Sequence, residues 1–162
     1  MPFFSEHNSL SNFHMSTFDI EGLKFNCNEQ FYQYSKALHF NDKVTVEKIL
    51  KEQNPINQKK MGKKVSGYNE GARAQVCDDV MLKGLLEKFK QNVDLKAKLL
   101  GTHLLMLYEA NEYDTYWGIG VPQRNKKCLD TSLHKGENKL GKLLVHVRNK
   151  MVEEQASHDM PA

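Results

Sequence analysis

The spacing of apolar and polar positions predicts a chain of short helices with one early hairpin. Residues alternate from Thr17 to Ile20 and from Leu23 to Cys27, and the Glu21-Gly22 step between them predicts a tight hairpin. Asn28 and Asp42 are predicted N-caps of the first two helices. The helical spans predicted by the pattern are 28–40, 42 to the Asn54-Pro55 step, 55–62, 69–92, 94–100 with Gly101 as C-cap, and 138–154.

Two further segments do not follow the helical pattern. The continuous apolar run 104–109 is short enough to predict a buried strand, although periodicity alone leaves a buried helix open. The polar stretch 118–136 predicts a long loop of the kind that is often functional. Residues 155–162 are predicted to be a disordered tail, so that the domain is expected to span residues 1–154.

Length and composition place the chain among ordinary globular domains. A chain of 162 residues with 40% hydrophobic and 27% charged residues predicts one compact domain. No apolar run approaches the roughly 20 residues of a membrane span, and no leader pattern is present, so neither export nor membrane contact is expected. Three cysteines without a CxxC pair predict free thiols, a cytoplasmic location and no metal site. The net charge of +3 is too weak to imply nucleic acid by itself.

The first predicted helix has two chemically different stripes. One stripe carries Glu29, Gln33, Lys36 and Phe40, and the opposite stripe carries Phe31, Tyr34 and Leu38. The polar stripe either faces water or lines a cleft, with the other stripe in the core. A carboxylate in the first turn is stabilised by the helix dipole, so Glu29 is suited to stabilising a cation or activating water.

A second cluster combines an acid, aromatic rings and glycines. Its members are Asp114, Tyr116, Trp117, Gly118 and Gly120, and the tryptophan is the only one in the chain. Glycines permit close approach of a ligand or another backbone, and the indole offers a face for stacking. A tight turn around a core tryptophan explains the same residues equally well.

Basic residues gather near the middle of the chain. Lys59, Lys60, Lys63 and Lys64 flank Gly62, and such a run is usually solvated surface. One of these lysines, or Arg73, is the candidate for holding a phosphate. The seven histidines show no metal-ligand spacing.

Six strings of the chain together resemble the NADAR (YbiA-like) family. They are LSNF at 10–13, NEQFYQYSKA at 28–37, NPINQKKMGKKV at 54–65, VMLKGLLEKF at 80–89, EANEYDTYWGIG at 109–120 and GENKLGKLLVHVR at 136–148. The resemblance implies a compact, mostly helical α+β fold with a small sheet or hairpin. It also implies metal-free and cofactor-free hydrolysis of N-glycosidic bonds between ribose and a nitrogenous group.

The resemblance also implies which residues act. Glu29, Asp114 and Lys36 are the expected catalytic residues. The expected substrate-binding residues are Asn12, Phe13, Tyr68, Arg73, Trp117, Gly118 and Asn138. Tyr68 stands where the family usually has tryptophan, and Gln30 stands where it commonly has histidine. Asp114 is expected either to orient a ribose hydroxyl or to help protonate the leaving group. Lys36 is expected to contact phosphate, to pair with Glu29 or to form a Schiff base with opened ribose.

Three functions remain open at this point. The first is an N-glycosidase that cleaves the ribose C1′–N bond of a ribosylamino-pyrimidine phosphate from riboflavin synthesis or of a related ribosyl nucleotide. The second is a hydrolase that removes ADP-ribose from guanine in nucleic acid. It needs a cationic track, for which the candidates are Lys59, Lys60, Lys63 and Lys64 together with the loop bearing Arg124, Lys126 and Lys127. The third is a non-catalytic module that binds ADP-ribose or a nucleotide.

Overall fold

The computed structural model describes residues 1–158, whose contacts separate into two units, 12–93 and 1–11 with 94–158. The described chain is mostly helical with two small two-stranded sheets, which confirms the predicted class. The elements in chain order are β1 (Pro2–Phe3), β2 (Phe18–Ile20), β3 (Leu23–Phe25), α1 (Asn28–His39), α2 (Lys43–Lys51), α3 (Pro55–Gly62), α4 (Glu70–Ala74), α5 (Cys77–Gln91), α6 (Val93–Leu100), β4 (Tyr108–Glu109), 3-10 helices at Lys126–Leu129 and Thr131–Leu133, and α7 (Lys139–His158).

The predicted hairpin is confirmed in the unit 12–93. Strands β2 and β3 are antiparallel, with Phe18 opposite Phe25. Glu21 and Gly22 form the turn with φ angles of 52° and 81°. Two successive residues at positive φ are the requirement of a type I′ turn, whose twist matches that of the strands.

The hairpin and α1 share an aromatic core. The rings of Phe25 and Phe31 meet edge to face at 5.2 Å, and Phe18 is 6.3 Å from Phe31. Helix α1 also packs against α2, α3 and α5, so it lies at the centre of this unit. Burial of such rings contributes both apolar area and favourable edge-to-face geometry.

The helix starts of this unit follow side-chain caps in three cases. The side chains of Asp42, Asn54 and Asn69 accept hydrogen bonds from the first turns of α2, α3 and α4. The predicted Asn28 cap is wrong, because α1 begins at Asn28 itself and Cys27 precedes it without a side-chain cap. The Asn28 amide is fully buried and donates to Asn12 instead.

The predicted helix over 69–92 is wrong as a single element, since it divides into α4 and α5. Arg73 is 3% exposed, and its guanidinium donates to the Tyr32 carbonyl and fixes α4 on α1. Val76 has φ of −123°, and its N–H bonds to the carbonyl of Arg73, three residues earlier. This tightened turn interrupts the regular hydrogen-bond ladder.

In the other unit, β1 lies parallel to β4. The predicted strand 104–109 is correct only at Tyr108–Glu109, and Leu104 is 94% exposed. The reason is the buried Arg148, which donates 2.8 Å bonds to Thr102 Oγ1 and the Leu105 carbonyl. These bonds hold residues 102–105 in a turn, so the strand does not begin at Leu104. Hydrophobicity alone therefore predicted too long a strand.

The last helix exceeds its predicted end. Helix α7 includes residues 155–158, which were predicted to be disordered. The Ser157 hydroxyl donates to the Glu153 carbonyl at 2.9 Å, which stabilises this end. The rest of the predicted tail, 159–162, lies outside the described residues.

The predicted loop 118–136 is confirmed as mainly irregular, with two 3-10 turns inside it. Its Arg124 forms an ion pair with Glu112 at 3.1 Å. Among residues 1–158, none of the helices combines the length and apolar character needed to cross a membrane. The same residues contain no group of three or more potential metal-ligating side chains.

Candidate active site

The carboxylate of Glu29 lies in the first turn of α1 and is 5% exposed. Its backbone N–H donates to the Asn12 carbonyl at 3.0 Å, which fixes the start of the helix. Gln33, one turn later, is also buried. The polar stripe of α1 was expected either to face water or to line a cleft. For Glu29 and Gln33 the first interpretation is wrong, because both residues are buried.

Gln33 holds the Glu29 carboxylate directly. Its Nε2 donates to Glu29 Oε1 at 2.7 Å. A donor at this distance from a buried carboxylate stabilises the anion, as does the N-terminal end of the helix dipole. Sequence reasoning placed Gln33 on the stripe but assigned it no role; the i, i+4 spacing from Glu29 is the signal that points to the contact.

Asn12 supports the same turn through its side chain. The Asn28 amide donates to Asn12 Oδ1 at 2.9 Å, and both amides lie within 3.4 Å of the Met81 sulfur. Both polar atoms of the Asn12 side chain are thus used within the protein. A substrate role for Asn12 stays a prediction, while its structural role is visible.

Gln30 faces away from Glu29 and joins three segments. Its Oε1 accepts from the Asn26 N–H at 2.7 Å, and its Nε2 donates to the carbonyls of Ile49 and Glu52 at the end of α2. Carbonyls at a helix end lack partners within the helix, so this amide satisfies them. The residue that differs from the family pattern therefore has a structural function.

The Cys27 thiol beside Glu29 is unreactive. It is fully buried and donates to Gln58 Oε1 at 3.3 Å. Burial raises the pKa of this thiol to about 12, and the Glu29 charge adds to the rise. A thiol of this kind is not a nucleophile near neutral pH.

Lys36, Tyr68 and Arg73 form the second part of the α1 site. Lys36 Nζ lies 4.3 Å from the centroid of the half-exposed Tyr68 ring. Burial lowers the pKa of Lys36, the Arg73 charge lowers it further, and Glu29 opposes the change. The structure thus brings together three predicted site residues, and the tyrosine at the tryptophan position still provides an aromatic face.

Two other predicted side chains of this unit are less specific. Phe13 is half-buried, and Lys59 Nζ lies 5.6 Å from its ring centroid. Leu38, predicted to be in the core, is 55% exposed. It lies in the last turn of α1 and borders a cavity of about 360 Å³ with Phe31, Tyr34 and Arg73.

Asp114 organises a turn in the other unit. Its Oδ1 accepts from the N–H groups of Tyr116 and Trp117 at 3.0 and 2.8 Å. This Asx turn sets the two aromatic rings edge to face, 4.9 Å apart. Trp117 is half-buried, so it is neither a fully buried core residue nor a surface residue.

Gly118 and Asn138 hold this turn against neighbouring chain. A Cβ at Gly118 would lie 2.7 Å from the Asp114 carbonyl oxygen, so only glycine fits. The Asn138 side chain accepts from the Glu109 N–H and donates to the Leu107 carbonyl. Both side-chain groups of Asn138 are therefore engaged in the fold, and its predicted substrate contact stays a prediction.

The predicted site residues thus fall into two sets. Asn12, Phe13, Glu29, Lys36, Tyr68 and Arg73 belong to the unit 12–93, and Asp114, Trp117, Gly118 and Asn138 belong to the other unit. Within the first set, Glu29 contacts Asn12, and Lys36 lies with Tyr68 and Arg73. Within the second set, Asp114 fixes Trp117.

Comparison with known proteins identifies the family that the chain is similar to. The profile of the NADAR domain matches residues 3–152. Protein irg-1 of Caenorhabditis elegans is 41% identical over 131 residues, covering 80% of this chain and 62% of irg-1, so this chain spans less than two thirds of that relative. N-glycosidase R617 of Acanthamoeba polyphaga mimivirus is 32% identical over 120 residues, covering 74% of this chain and 71% of R617.

The bacterial enzyme is similar over a longer range. N-glycosidase YbiA of Escherichia coli is 30% identical over 150 residues, covering 93% of this chain and 85% of YbiA. Its NMR structure superposes with a TM-score of 0.81 and covers 99% of this chain and 89% of that one, at 29% identity. The fold expected from the resemblance is therefore confirmed.

Proposed function

The chain belongs to the NADAR domain family, and from that premise we propose that it is an N-glycosidase that cleaves the ribose C1′–N bond of a small ribosyl nucleotide. The proposed substrate class is a ribosylamino-pyrimidine phosphate or a related nucleotide. The observation that carries the proposal is the buried Glu29 carboxylate, held by Gln33 in the first turn of α1.

Breaking a ribose C1′–N bond develops positive charge on C1′ and the ring oxygen. A fixed carboxylate stabilises that charge more than it stabilises the neutral ground state, and this difference lowers the barrier. Glu29 has little rotational freedom, because its own N–H is bonded to Asn12 and its Oε1 accepts from Gln33. It is thus arranged before the reaction begins.

The proposed hydrolysis balances as follows. The oxygen of a water molecule forms the bond to C1′, and the C1′–N electron pair leaves with the nitrogen, which takes up a proton from solvent. Glu29 accepts the proton that the attacking water loses. The proton that Glu29 gains in this step returns to solvent and restores the carboxylate. In this buried position, held by the Gln33 amide, the Glu29 carboxylate acts as a base and as a charge stabiliser.

Lys36 is proposed to act on the negatively charged part of the substrate. Its ammonium lies on the same helix two turns beyond Glu29, against the Tyr68 ring. The alternative role, an imine with opened ribose, is favoured by the lowered pKa of the amine. Borohydride reduction during turnover distinguishes the two, because only an imine leaves a stable adduct on Lys36.

Asp114 and Trp117 are proposed to bind substrate. Asp114 Oδ1 is used by the turn, so replacement by Asn preserves the accepting atom and removes only the charge. Loss of activity in Asp114→Asn with an unchanged melting temperature would support direct action on the substrate. Loss of stability without loss of specific activity would leave Asp114 as a turn residue alone.

A small substrate is favoured over modified nucleic acid by the charge of the loop 118–136. Its only arginine, Arg124, is paired with Glu112. The exposed Lys126 and Lys127 remain the candidates for phosphate contacts there. A cationic track that reads a polyanion needs several available cations, and this loop offers few.

The test is a panel of free ribosylamino-pyrimidine phosphates, ADP-ribosylated guanosine and an ADP-ribosylated oligonucleotide, with released sugar identified by mass spectrometry. Turnover of a free ribosyl nucleotide, lost in Glu29→Gln, is expected. Far faster turnover of the oligonucleotide, falling steeply with salt and lost when Lys126 and Lys127 become Glu, would replace the small substrate. Binding of ADP-ribose with no turnover of any substrate would indicate a binding module.

The place of action is proposed to be the cytoplasm. All three cysteines are buried free thiols, which suits a reducing compartment. Fluorescence imaging of the tagged full chain tests this location.

A further inference from the structure

We propose that Gln33 is a positioning residue for Glu29, and that Gly62 is glycine because the Gln33 amide occupies the space of a side chain at that position. The catalytic consequence rests on the function proposed above, whereas the effect on the Glu29 carboxyl does not. Gln33 is 7% exposed and its amide donates to the Glu29 carboxylate, so its proposed effect on the reaction is exerted through Glu29.

The geometry of the Glu29–Gln33 pair restricts both side chains. The two residues are one turn apart on α1, and Nε2 to Oε1 is 2.7 Å, a short distance for an N–H···O bond. Since the donor is a neutral amide, it stabilises the carboxylate without adding a positive charge. A positively charged donor would compete with the developing cation for the carboxylate. A lysine at position 33 would neutralise Glu29, and a leucine would leave Oε1 without this donor.

Gly62, the last residue of α3, packs directly against the Gln33 amide. An ideal Cβ built on Gly62 would overlap Gln33 Oε1 and Cδ, and it would lie 3.1 Å from Gln33 Cγ. Gly62 does not need positive φ, so glycine is not required there by backbone conformation. The requirement is space for the amide.

The amide orientation carries a cost that supports a functional interpretation. Gln33 Oε1 is buried and has no hydrogen-bond partner among residues 1–158. A rotation of the amide that exchanged Oε1 and Nε2 would place Gln33 Oε1 against the Glu29 carboxylate. The two oxygens would repel each other while Glu29 is ionised. A buried polar atom without a partner is unfavourable, so the bond from Nε2 to the Glu29 carboxylate is what favours this orientation of the amide.

The neighbouring Gln30 provides a matched control. It is a buried glutamine on the same helix, and its amide joins Asn26 and α2 rather than Glu29. Gln30→Met and Gln33→Met therefore remove the same chemical group from similar depth. Both are expected to lower the melting temperature, and only Gln33→Met is expected to alter the Glu29 carboxyl.

The experiment is a ¹³C-carboxyl NMR titration of the full chain, with the Glu29 signal assigned by its loss in Glu29→Gln. In Gln33→Met the pKa of Glu29 is expected to rise by about one unit relative to the parent protein, because the anion loses a donor. In Gln30→Met it is expected to stay unchanged. The acid limb of the kcat/KM profile should shift in the same direction, with kcat about tenfold to a hundredfold lower at its optimum.

Gly62→Ala provides a second way to remove the Gln33 amide from the Glu29 carboxylate. The added methyl group should push the Gln33 amide away and raise the pKa of Glu29, and the double variant with Gln33→Met should show less than the sum of the two changes. An unchanged Glu29 titration in folded Gln33→Met, or fully additive effects with Gly62→Ala, would overturn the proposal. If the titration shifts as expected but no riboside is cleaved by the parent, the positioning holds and the proposed function fails.

Discussion

Replacement of Glu29 by Gln is the most direct test of the mechanism, because the structure limits what else the change affects. The substitution keeps the side-chain shape and removes one charge. The Gln33 Nε2 donor, 2.7 Å from Glu29 Oε1, can still bond to an amide oxygen at that position. The backbone bond from residue 29 to the Asn12 carbonyl does not involve the side chain. The fold is therefore expected to survive.

The magnitude follows from where the lost charge lies. Glu29 is 5% exposed, so water screens its interaction with a developing cation poorly. Removal of one preorganised electrostatic group typically costs a hundredfold or more in kcat, about 3 kcal/mol of transition-state stabilisation. Binding of substrate in the ground state should change much less, because the ribose carries no charge at C1′ before bond cleavage.

The assay is single-turnover hydrolysis of the riboside that the parent protein cleaves best, with product separated by chromatography. Circular dichroism and the melting temperature establish that Glu29→Gln is folded, and isothermal titration with substrate measures binding without turnover. Turnover within about threefold of the parent, in a folded protein, would remove Glu29 from the mechanism. Loss of binding together with turnover would instead make it a substrate-binding residue.

Three further expectations use other parts of the structure. Titration with ADP-ribose should change the fluorescence emission of Trp117, and unchanged emission at saturating ligand would contradict stacking. If a base stacks on the indole, Trp117→Ala should weaken ADP-ribose binding by roughly 1 to 3 kcal/mol. The Asp42 carboxylate accepts hydrogen bonds from Ser66 and Thr45, which lower the pKa of this carboxyl to about 2. The stabilisation from these bonds is therefore present above about pH 4 and is lost as the pH falls toward 2. Scanning calorimetry should show that Asp42→Ala melts at a lower temperature than the parent protein at pH 7 and that the two melting temperatures converge in acid. Cys27, whose pKa burial raises to about 12, should resist iodoacetamide at pH 8 until the protein unfolds, and alkylation of Cys27 in native protein, located by peptide mass mapping, would contradict that burial.

Local chemistry made part of the fold predictable. The Glu21-Gly22 step predicted the hairpin because its turn depends on two adjacent residues, and Asp42 predicted the start of α2 because its cap bonds to a residue three positions later. Asn54 and Asn69 cap α3 and α4 in the same local way, although neither was predicted as a cap. Where a distant partner decided the structure, the pattern failed. The predicted long helix breaks next to Arg73, whose guanidinium is fixed by Tyr32, 41 residues earlier.

The same distinction explains the candidate site. The helical spacing alone placed Glu29 and Lys36 on one stripe of α1, but it could not decide whether that stripe faced water. Burial of Glu29 depends on how α3 and the segment containing Asn12 pack against α1, and those contacts join residues far apart in sequence. Family resemblance supplied the expectation of catalysis, since no local pattern distinguishes a catalytic glutamate from a solvated one.

The environment of Glu29 shows how a fold can make one of several glutamates chemically different. The Gln33 amide donates to its carboxylate, its backbone N–H donates to the Asn12 carbonyl, and the adjacent Cys27 thiol stays protonated because burial raises the pKa of that thiol to about 12. Lys36, the cation on the same stripe, has a lowered pKa through burial and the Arg73 charge. In the proposed mechanism, a carboxylate that is buried and already held by an amide donor stabilises an oxocarbenium ion without first having to be ordered, so its effect is larger in the transition state than in the ground state.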